Sequence, residues 1–190
     1  MSEQKSMGQA TSMPTLIPSA VVLFLHGLES SPEGYKANAM REAGMPVIAP
    51  DHRGMTLNER IRQTRWVLAT HRSSLLVGSS YGGLAATYLA QTQPERFFGL
   101  VLAAPALIRS EPPIDDPSTL VIPPSLPTII LHGTRDALIP IDVSRQLVAR
   151  SGDHVTLWEL DDEHQLRSSI DRVLEAVRTL WNAVIVRPKL

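Results

Sequence analysis

Six apolar runs recur along the chain, each closed by glycine, proline or a polar residue. Unbroken runs of this kind are typical of strands buried on both faces of a parallel sheet. Between the runs, apolar side chains recur at helical spacing, for example around Leu57, Leu84 and Leu174. This alternation predicts an α/β fold, a mostly parallel central sheet with helices on both faces. The predicted strands lie within residues 21–27, 46–50, 74–79, 97–105, 128–133 and 155–160.

The first helix has sequence signals for both of its ends. Ser31 is a favourable N-cap, and Pro32 suits the first helical position, where an amide proton has no partner to lose. Gly44 can adopt the left-handed conformation that commonly follows the last helical residue. We therefore expect a helix of about three turns from Pro32 to the residue before Gly44.

Reactive side chains are expected at one edge of this sheet, because ligands of open parallel sheets bind outside the carboxyl ends of the strands. The stretch GSSYGG at Gly78 lies at such an end, between a strand and an alanine-rich helix. Glycines two residues before and after Ser80 would relieve the crowding of a sharp strand-to-helix turn. A flexible loop would need only the composition, whereas the Gly-x-Ser-x-Gly spacing in this context favours Ser80 as a nucleophile.

A serine hydroxyl needs an imidazole as its base and a carboxylate that orients the imidazole. In this topology the three follow the chain order Ser, acid, His. His164, after the last predicted strand, fits that order, with Asp136 after the preceding strand as the acid. The other histidines fit less well by position, because His132 precedes the acid and His154 lies at the wrong end of its strand. Among the other acids, Asp142 falls in the next helix, and Asp161, Asp162 and Glu163 adjoin His164 too closely.

Two backbone amides are expected to form an oxyanion hole. Tyr81 supplies one as the residue after the nucleophile, and Leu28 supplies the other from the turn HGLESSP at the end of the first strand. Gly27 would allow the close approach of that turn to Ser80. His26 is assigned a structural role, holding the turn by hydrogen bonding.

Composition excludes several other classes of function. The formal charge of −1 offers no basic face for nucleic acid, and the absence of cysteine excludes disulfides and thiolate metal sites. Residues 1–18 are polar and lack the apolar core of a signal peptide, so we expect a flexible tail on one domain over residues 19–190. These features predict a cytoplasmic protein with no membrane segment and no metal.

These motifs resemble the α/β-hydrolase superfamily over residues 21 to about 181. HGLESSPEGYKA and GSSYGG are similar to the small bacterial YqiA-like esterases. The resemblance implies hydrolysis of a small carboxylic ester or thioester without any cofactor. A thioesterase or peptidase with the same triad, and a non-catalytic binding protein with the same fold, stay open as alternatives. The sequence does not indicate the oligomeric state.

The chain is too short between the fourth and fifth predicted strands for the helical cap domain of larger relatives. Residues 110–127 are rich in proline and are predicted to form a surface loop. Loop side chains must then line the substrate site, and we expect Leu107, Ile108, Leu138 and Ile139 to do so. A shallow site favours acyl chains of about four to eight carbons, whereas residues 106–126 folded over it as a lid would accept longer chains.

Overall fold

A computed structural model describes residues 20–71 and 74–185. The tail predicted over residues 1–18 lies outside the described residues. The strands are β1 (Val21–Leu25), β2 (Val47–Ile48), β3 (Ser74–Ser79), β4 (Phe97–Ala103), β5 (Thr128–Gly133) and β6 (Val155–Leu160). The helices are α1 (Tyr35–Glu42), α2 (Leu57–Thr70), α3 (Tyr81–Thr92), α4 (Asp142–Ser151) and α5 (Ile170–Ile185).

The strands form one six-stranded sheet in the order β2-β1-β3-β4-β5-β6, and every neighbouring pair is parallel. β1, β3 and β5 are completely buried, as their unbroken apolar sequences predict. Because all strands run the same way, their carboxyl ends meet at one edge of the sheet. Leu25 of β1 pairs with Gly78 of β3, and Ser79 of β3 pairs with Ala103 of β4. The turns after β1, β3 and β4 therefore converge.

Two apolar cores lie on opposite faces of the sheet. The buried sides of α2, α3 and α4 contribute Ile61, Leu84 and Leu147 to the first core. α1 and α5 contribute Met40 and Val177 to the second core. Helices on both faces confirm the predicted α/β layering. Within the part of the chain described, no helix combines the length and apolar character that a bilayer span requires.

The first helix begins later than predicted. α1 starts at Tyr35 with Gly34 as its N-cap, rather than at Pro32 after Ser31. The Ser31 hydroxyl accepts a hydrogen bond from Glu33 N at 3.2 Å, and Gly34 N donates to Ser31 O at 3.0 Å, so the segment forms a separate turn. The predicted end is confirmed, since Gly44 follows the helix with φ of 80°.

Residues 110–127, in the connection from β4 to β5, form an irregular and largely exposed loop, as their prolines predict, but a few buried apolar side chains hold this loop against the sheet. Residues 104–127 contain a single 3₁₀ turn at Pro117–Thr119 and no α-helix. Ile114, Leu120, Ile122 and Leu126 of this segment are buried in the first core. Prolines prevent regular structure here, but the apolar side chains between them still pack against the sheet.

Candidate active site

Ser80 lies in a strained turn between β3 and α3. Its φ of 53° and ψ of −119° are unusual for a residue with a side chain. The turn is fixed on both sides, because Ser80 N donates to Ala103 O at 2.9 Å and Ala106 N donates to Ser80 O at 3.0 Å. A strained backbone held by its surroundings presents one side chain in a defined direction. The Ser80 hydroxyl therefore projects from the carboxyl edge of the sheet.

The flanking glycines are required by close approach of the backbone. A Cβ atom at Gly82 would lie 2.0 Å from Leu25 O, and one at Gly78 would lie 2.7 Å from Gly82 O. Both distances are far inside van der Waals contact with backbone atoms, which cannot move aside as a flexible side chain can. The small residues of GSSYGG thus let α3 begin directly against the end of β1.

Ser80, His164 and Asp136 are connected by two hydrogen bonds. Ser80 Oγ lies 2.9 Å from His164 Nε2, and His164 Nδ1 lies 2.7 Å from Asp136 Oδ2. Since a carboxylate only accepts, Nδ1 carries the proton and Nε2 is free to accept the Ser80 proton. The three residues come from the turn after β3, the loop after β5 and the loop after β6. The fold thus brings together the side chains that the chain order singled out.

Asp136 is held as a buried carboxylate. Its Oδ1 accepts hydrogen bonds from Leu138 N and Ile139 N, both at 2.9 Å. Burial alone would raise the pKa of the Asp136 carboxyl, but the hydrogen bonds from Ile139 N, His164 and Leu138 N outweigh it and lower the pKa. The carboxylate is therefore ionised at neutral pH and fixed in orientation.

His132 contacts Asp136 and the loop that carries it. Its Nε2 lies 3.0 Å from Ile139 O and 3.2 Å from Asp136 Oδ2, and its Nδ1 lies 2.7 Å from Ser144 Oγ. Burial lowers the pKa of His132, so the ring is neutral, with Nε2–H as donor and Nδ1 as acceptor. Chain order excluded His132 as the base, and its contacts give it a supporting place instead.

Of the two residues predicted to form the oxyanion hole, Tyr81 follows Ser80 in the chain and Leu28 lines the same cavity as Ser80. Tyr81 follows the nucleophile at the first position of α3, where helical geometry provides no partner for its N–H. Gly27, the residue before Leu28, lies near Ser80, since a Cβ atom added at Gly27 would be 3.4 Å from Ser80 Cβ. Among the described residues, neither Leu28 N nor Tyr81 N donates a backbone hydrogen bond.

His26 holds the turn that carries Leu28. Its Nδ1 lies 2.7 Å from Gly27 O, and its Nε2 accepts from His52 N at 3.0 Å. Burial lowers the pKa of His26, which keeps the ring neutral. These contacts agree with the structural role expected from the sequence.

A buried arginine, which the sequence analysis does not identify, contacts both the turn after β1 and the start of α3. Arg60 of α2 donates from Nη1 to His26 O at 2.9 Å, and its guanidinium lies 4.6 Å from the centre of the Tyr81 ring. The Tyr81 hydroxyl donates to Glu111 Oε2 at 2.6 Å. An arginine on a helix normally indicates a solvated face, so only the tertiary structure reveals this contact.

A cavity of about 760 Å³ opens beside Ser80 and His164. The turn after β1 and the start of α1 form one side, and residues after His164 form the other. Of the four apolar side chains expected here, only Leu138 lines the cavity. Leu107 and Ile139 are instead buried, Leu107 in the first core, and Ile108 is exposed outside the cavity. The chain turns inward after Ala106, which withdraws Leu107 from the site.

The acidic and histidine residues set aside on position lie outside the triad. His154 Nε2 lies 3.0 Å from Ile122 O, and Asp161 pairs with Arg135 at 2.8 Å. Asp162 accepts from Ser169 N at 2.8 Å, just before α5. These contacts give the three residues structural roles away from Ser80.

Comparison with known proteins finds one similar family model and similar folds among solved structures. The model of an uncharacterised protein family, UPF0227, matches residues 21–112. A search of curated protein sequences finds no match. Among solved structures, a candidate hydrolase from Agrobacterium vitis S4 is 22% identical with a TM-score of 0.74, covering 91% of this chain and 95% of its own. Alpha/beta hydrolase domain-containing protein 10 from mouse is 19% identical with a TM-score of 0.73, covering 94% and 98%.

Est1E from Butyrivibrio proteoclasticus is 18% identical with a TM-score of 0.67, and the alignment covers 89% of each chain. At such low sequence identity, these similarities establish the fold and do not indicate the substrate. The chain has the α/β-hydrolase fold, and its residues 21–112 are similar to the UPF0227 family.

Proposed function

We propose that the chain is a serine hydrolase that cleaves carboxylic esters through an acyl-enzyme. The observation that carries the proposal is the pair of hydrogen bonds joining Ser80 Oγ to His164 Nε2 at 2.9 Å and His164 Nδ1 to Asp136 Oδ2 at 2.7 Å. A nucleophile, its base and the group that orients the base stand in the arrangement that activates serine.

In the first half of the reaction, Ser80 Oγ attacks the ester carbonyl while His164 Nε2 takes its proton. Asp136 stabilises the imidazolium that forms and keeps Nδ1 protonated. The amides of Leu28 and Tyr81 donate to the oxygen that becomes negative. His164 then returns the proton to the departing alcohol, and Ser80 carries the acyl group.

In the second half, His164 takes a proton from water, and the hydroxide attacks the acyl-enzyme carbonyl. The same amides stabilise the second tetrahedral intermediate. Collapse of that intermediate returns the proton to Ser80 Oγ and releases the carboxylic acid. No cofactor takes part in this sequence.

The cavity favours short or medium acyl chains. Apolar wall comes from Phe24, Leu28 and Leu138, while much of the remaining lining is serine or charged. Burial of each methylene is worth about 0.8 kcal/mol only while apolar wall remains. Residues 106–126 pack against the first core and contribute no lining to the cavity, which argues against a lid. We expect 4-nitrophenyl butyrate to be hydrolysed faster than the palmitate ester; a clear preference for palmitate would overturn the acyl-length proposal.

The direct test of the chemistry is the Ser80→Ala variant assayed on 4-nitrophenyl butyrate. We expect kcat to fall by about 10⁴-fold or more, as in enzymes that lose a triad member. Ser74→Ala is the matched control, because Ser74 is a buried serine at the opposite end of β3 with no hydrogen-bond partner among the described residues. Hydrolysis by Ser80→Ala at the rate of Ser74→Ala would refute the proposal.

A further inference from the structure

The cavity beside Ser80 is lined by three cationic side chains, Lys36, Arg53 and Arg167. Arg53 is neutralised by Asp51, to which it donates two close hydrogen bonds of 2.6 and 2.9 Å. Lys36 and Arg167 form no ion pair with a carboxylate of the residues that the structure describes. Two positive charges thus face the same space as the nucleophile.

Lys36 is partly buried, and only part of its hydrogen-bonding capacity is used. Its Nζ donates to Gln165 O at 2.6 Å, which uses one of the three protons of the ammonium group. Desolvation and the nearby charge of Arg167 lower the pKa of Lys36 to about 8, so the amine is still mostly protonated at neutral pH. An ammonium group in this environment gains from an anion that takes its remaining hydrogen bonds.

Arg167 is also held with donors to spare. Its Nε donates to Gln165 Oε1 at 2.6 Å, and its guanidinium lies 5.3 Å from the centre of the Tyr35 ring. Stacking and one neutral hydrogen bond fix the plane of the guanidinium without neutralising it. The exposed terminal nitrogens remain available to a carboxylate or phosphate.

The acidic residues nearby do not cancel these charges. Glu29 lines the cavity but is exposed to solvent. Asp162 attracts Lys36 from a distance, yet its own oxygens accept hydrogen bonds from Glu163 N and Ser169 N at 2.7 and 2.8 Å. Asp136 faces His164 and the amides of its own loop.

We propose that the substrate is an ester bearing a carboxylate or phosphate group, and that Lys36 and Arg167 bind that anion within the cavity. This inference rests on the proposed function for the hydrolysis step, but the anion site itself is defined by the two cations. Lys36 contacts the loop that carries His164, and Arg167 belongs to that loop, so the anion would anchor the ester next to Ser80. Neutral esters would be hydrolysed without that anchor.

The first experiment compares matched esters. Mono-4-nitrophenyl succinate and 4-nitrophenyl butyrate differ by a carboxylate at the end of a four-carbon acyl chain. 4-Acetoxybenzoate and its methyl ester place the carboxylate in the leaving group instead. We expect kcat/KM to favour the anionic member in one of the two pairs, which also identifies the side of the ester that carries the anion.

The second step uses Lys36→Met and Arg167→Met, with Arg178→Met as the matched control, since Arg178 is exposed on α5 away from the cavity. Loss of a charge-assisted hydrogen bond should lower the ratio of anionic to neutral kcat/KM about tenfold in the first two variants. Lys36→Arg should restore part of the ratio. A purely structural role of Lys36, tethering Gln165, would lower both esters equally and leave the ratio unchanged.

Binding is measured separately from turnover, by calorimetric titration of glutarate and of inorganic phosphate into Ser80→Ala. We expect at least one anion to bind, with affinity about tenfold weaker when Lys36→Met is added. Anion binding without hydrolysis of any ester would refute the proposed function and leave the anion site standing. Hydrolysis without preference for either anionic ester, or anion binding unaffected by Lys36→Met, would overturn the inference.

Discussion

At the scale of single residues, the strained backbone of Ser80 is possible only because a neighbouring residue, Gly82, has no side chain. Ser80 adopts φ of 53° because Ala103 O and Ala106 N hold its backbone on either side. Such a conformation costs about 1–3 kcal/mol, which the surrounding contacts must offset. Gly82 makes the turn possible, since its missing side chain leaves room for Leu25 O.

Gly82→Ala should therefore be strongly destabilising, because its Cβ would meet a backbone oxygen at 2.0 Å. We expect a loss of more than about 3 kcal/mol in the free energy of unfolding, measured by urea denaturation. Gly44→Ala is the control, since no atom lies within 4 Å of the added Cβ, and its φ of 80° should make the change cost about 1 kcal/mol. Equal losses in the two variants would show that close approach at Gly82 is not limiting.

At the scale of elements, the turn after β1 is positioned by a helix that does not line the cavity. Arg60 of α2 reaches across to His26 O and to the face of the Tyr81 ring. Glu111, from the connection after β4, accepts from the Tyr81 hydroxyl and from Leu57 N at the start of α2. α2 and the connection after β4 therefore hold His26 and Tyr81, which flank the two proposed oxyanion amides in the chain or carry one of them.

Arg60→Met should lower kcat by about tenfold while changing KM by less than about twofold, because the loss falls on stabilisation of the transition state. Steady-state kinetics on 4-nitrophenyl butyrate would measure both. Arg60→Lys, which keeps a donor for His26 O, should recover part of kcat. If both variants keep the wild-type kcat at reduced stability, Arg60 supports the fold alone.

At the scale of the whole molecule, three buried histidines affect how stability depends on pH. Burial lowers the pKa of His26, His52 and His132 below 6.5, and that of His52 to about 3. These rings are neutral in the folded protein and gain a proton on unfolding when the pH is below about 6.5. The contribution of these histidines to the free energy of unfolding is therefore fully present above about pH 6.5. It declines as the pH falls from about 6.5 toward the pKa values of the folded protein.

We expect the free energy of unfolding to fall between about pH 6.5 and 4.5, with His52 alone contributing about 1.4 kcal/mol per pH unit once its unfolded form is fully protonated. Urea denaturation across this range measures the slope. The carboxyls of Asp136 and Asp162, whose pKa values hydrogen bonds lower despite burial, contribute only at lower pH. His52→Gln should flatten the slope; an unchanged slope would contradict the assignment to His52.

The sequence predicts the parts of this architecture that local patterns and chain order determine. Unbroken apolar runs identify β1, β3 and β5, and order along the chain selects Asp136 and His164 for Ser80. The cavity wall is not predictable in this way, because Lys36 and Gln165 are 129 residues apart and meet only when α1 packs beside the loop after β6. Likewise, prolines correctly exclude regular structure near Leu120 but carry no information that its side chain is buried.

The measurement that tests the central claim most directly is covalent labelling by a fluorophosphonate, located by peptide mass spectrometry. We expect one adduct, on Ser80, because only that hydroxyl among the described residues hydrogen-bonds to the imidazole paired with Asp136. Labelling should be lost in Ser80→Ala and strongly slowed in His164→Gln, while His154→Gln should label like the wild type. No labelling of the folded wild-type protein, or an adduct on the neighbouring Ser79 in place of Ser80, would contradict the role of Ser80 as the nucleophile.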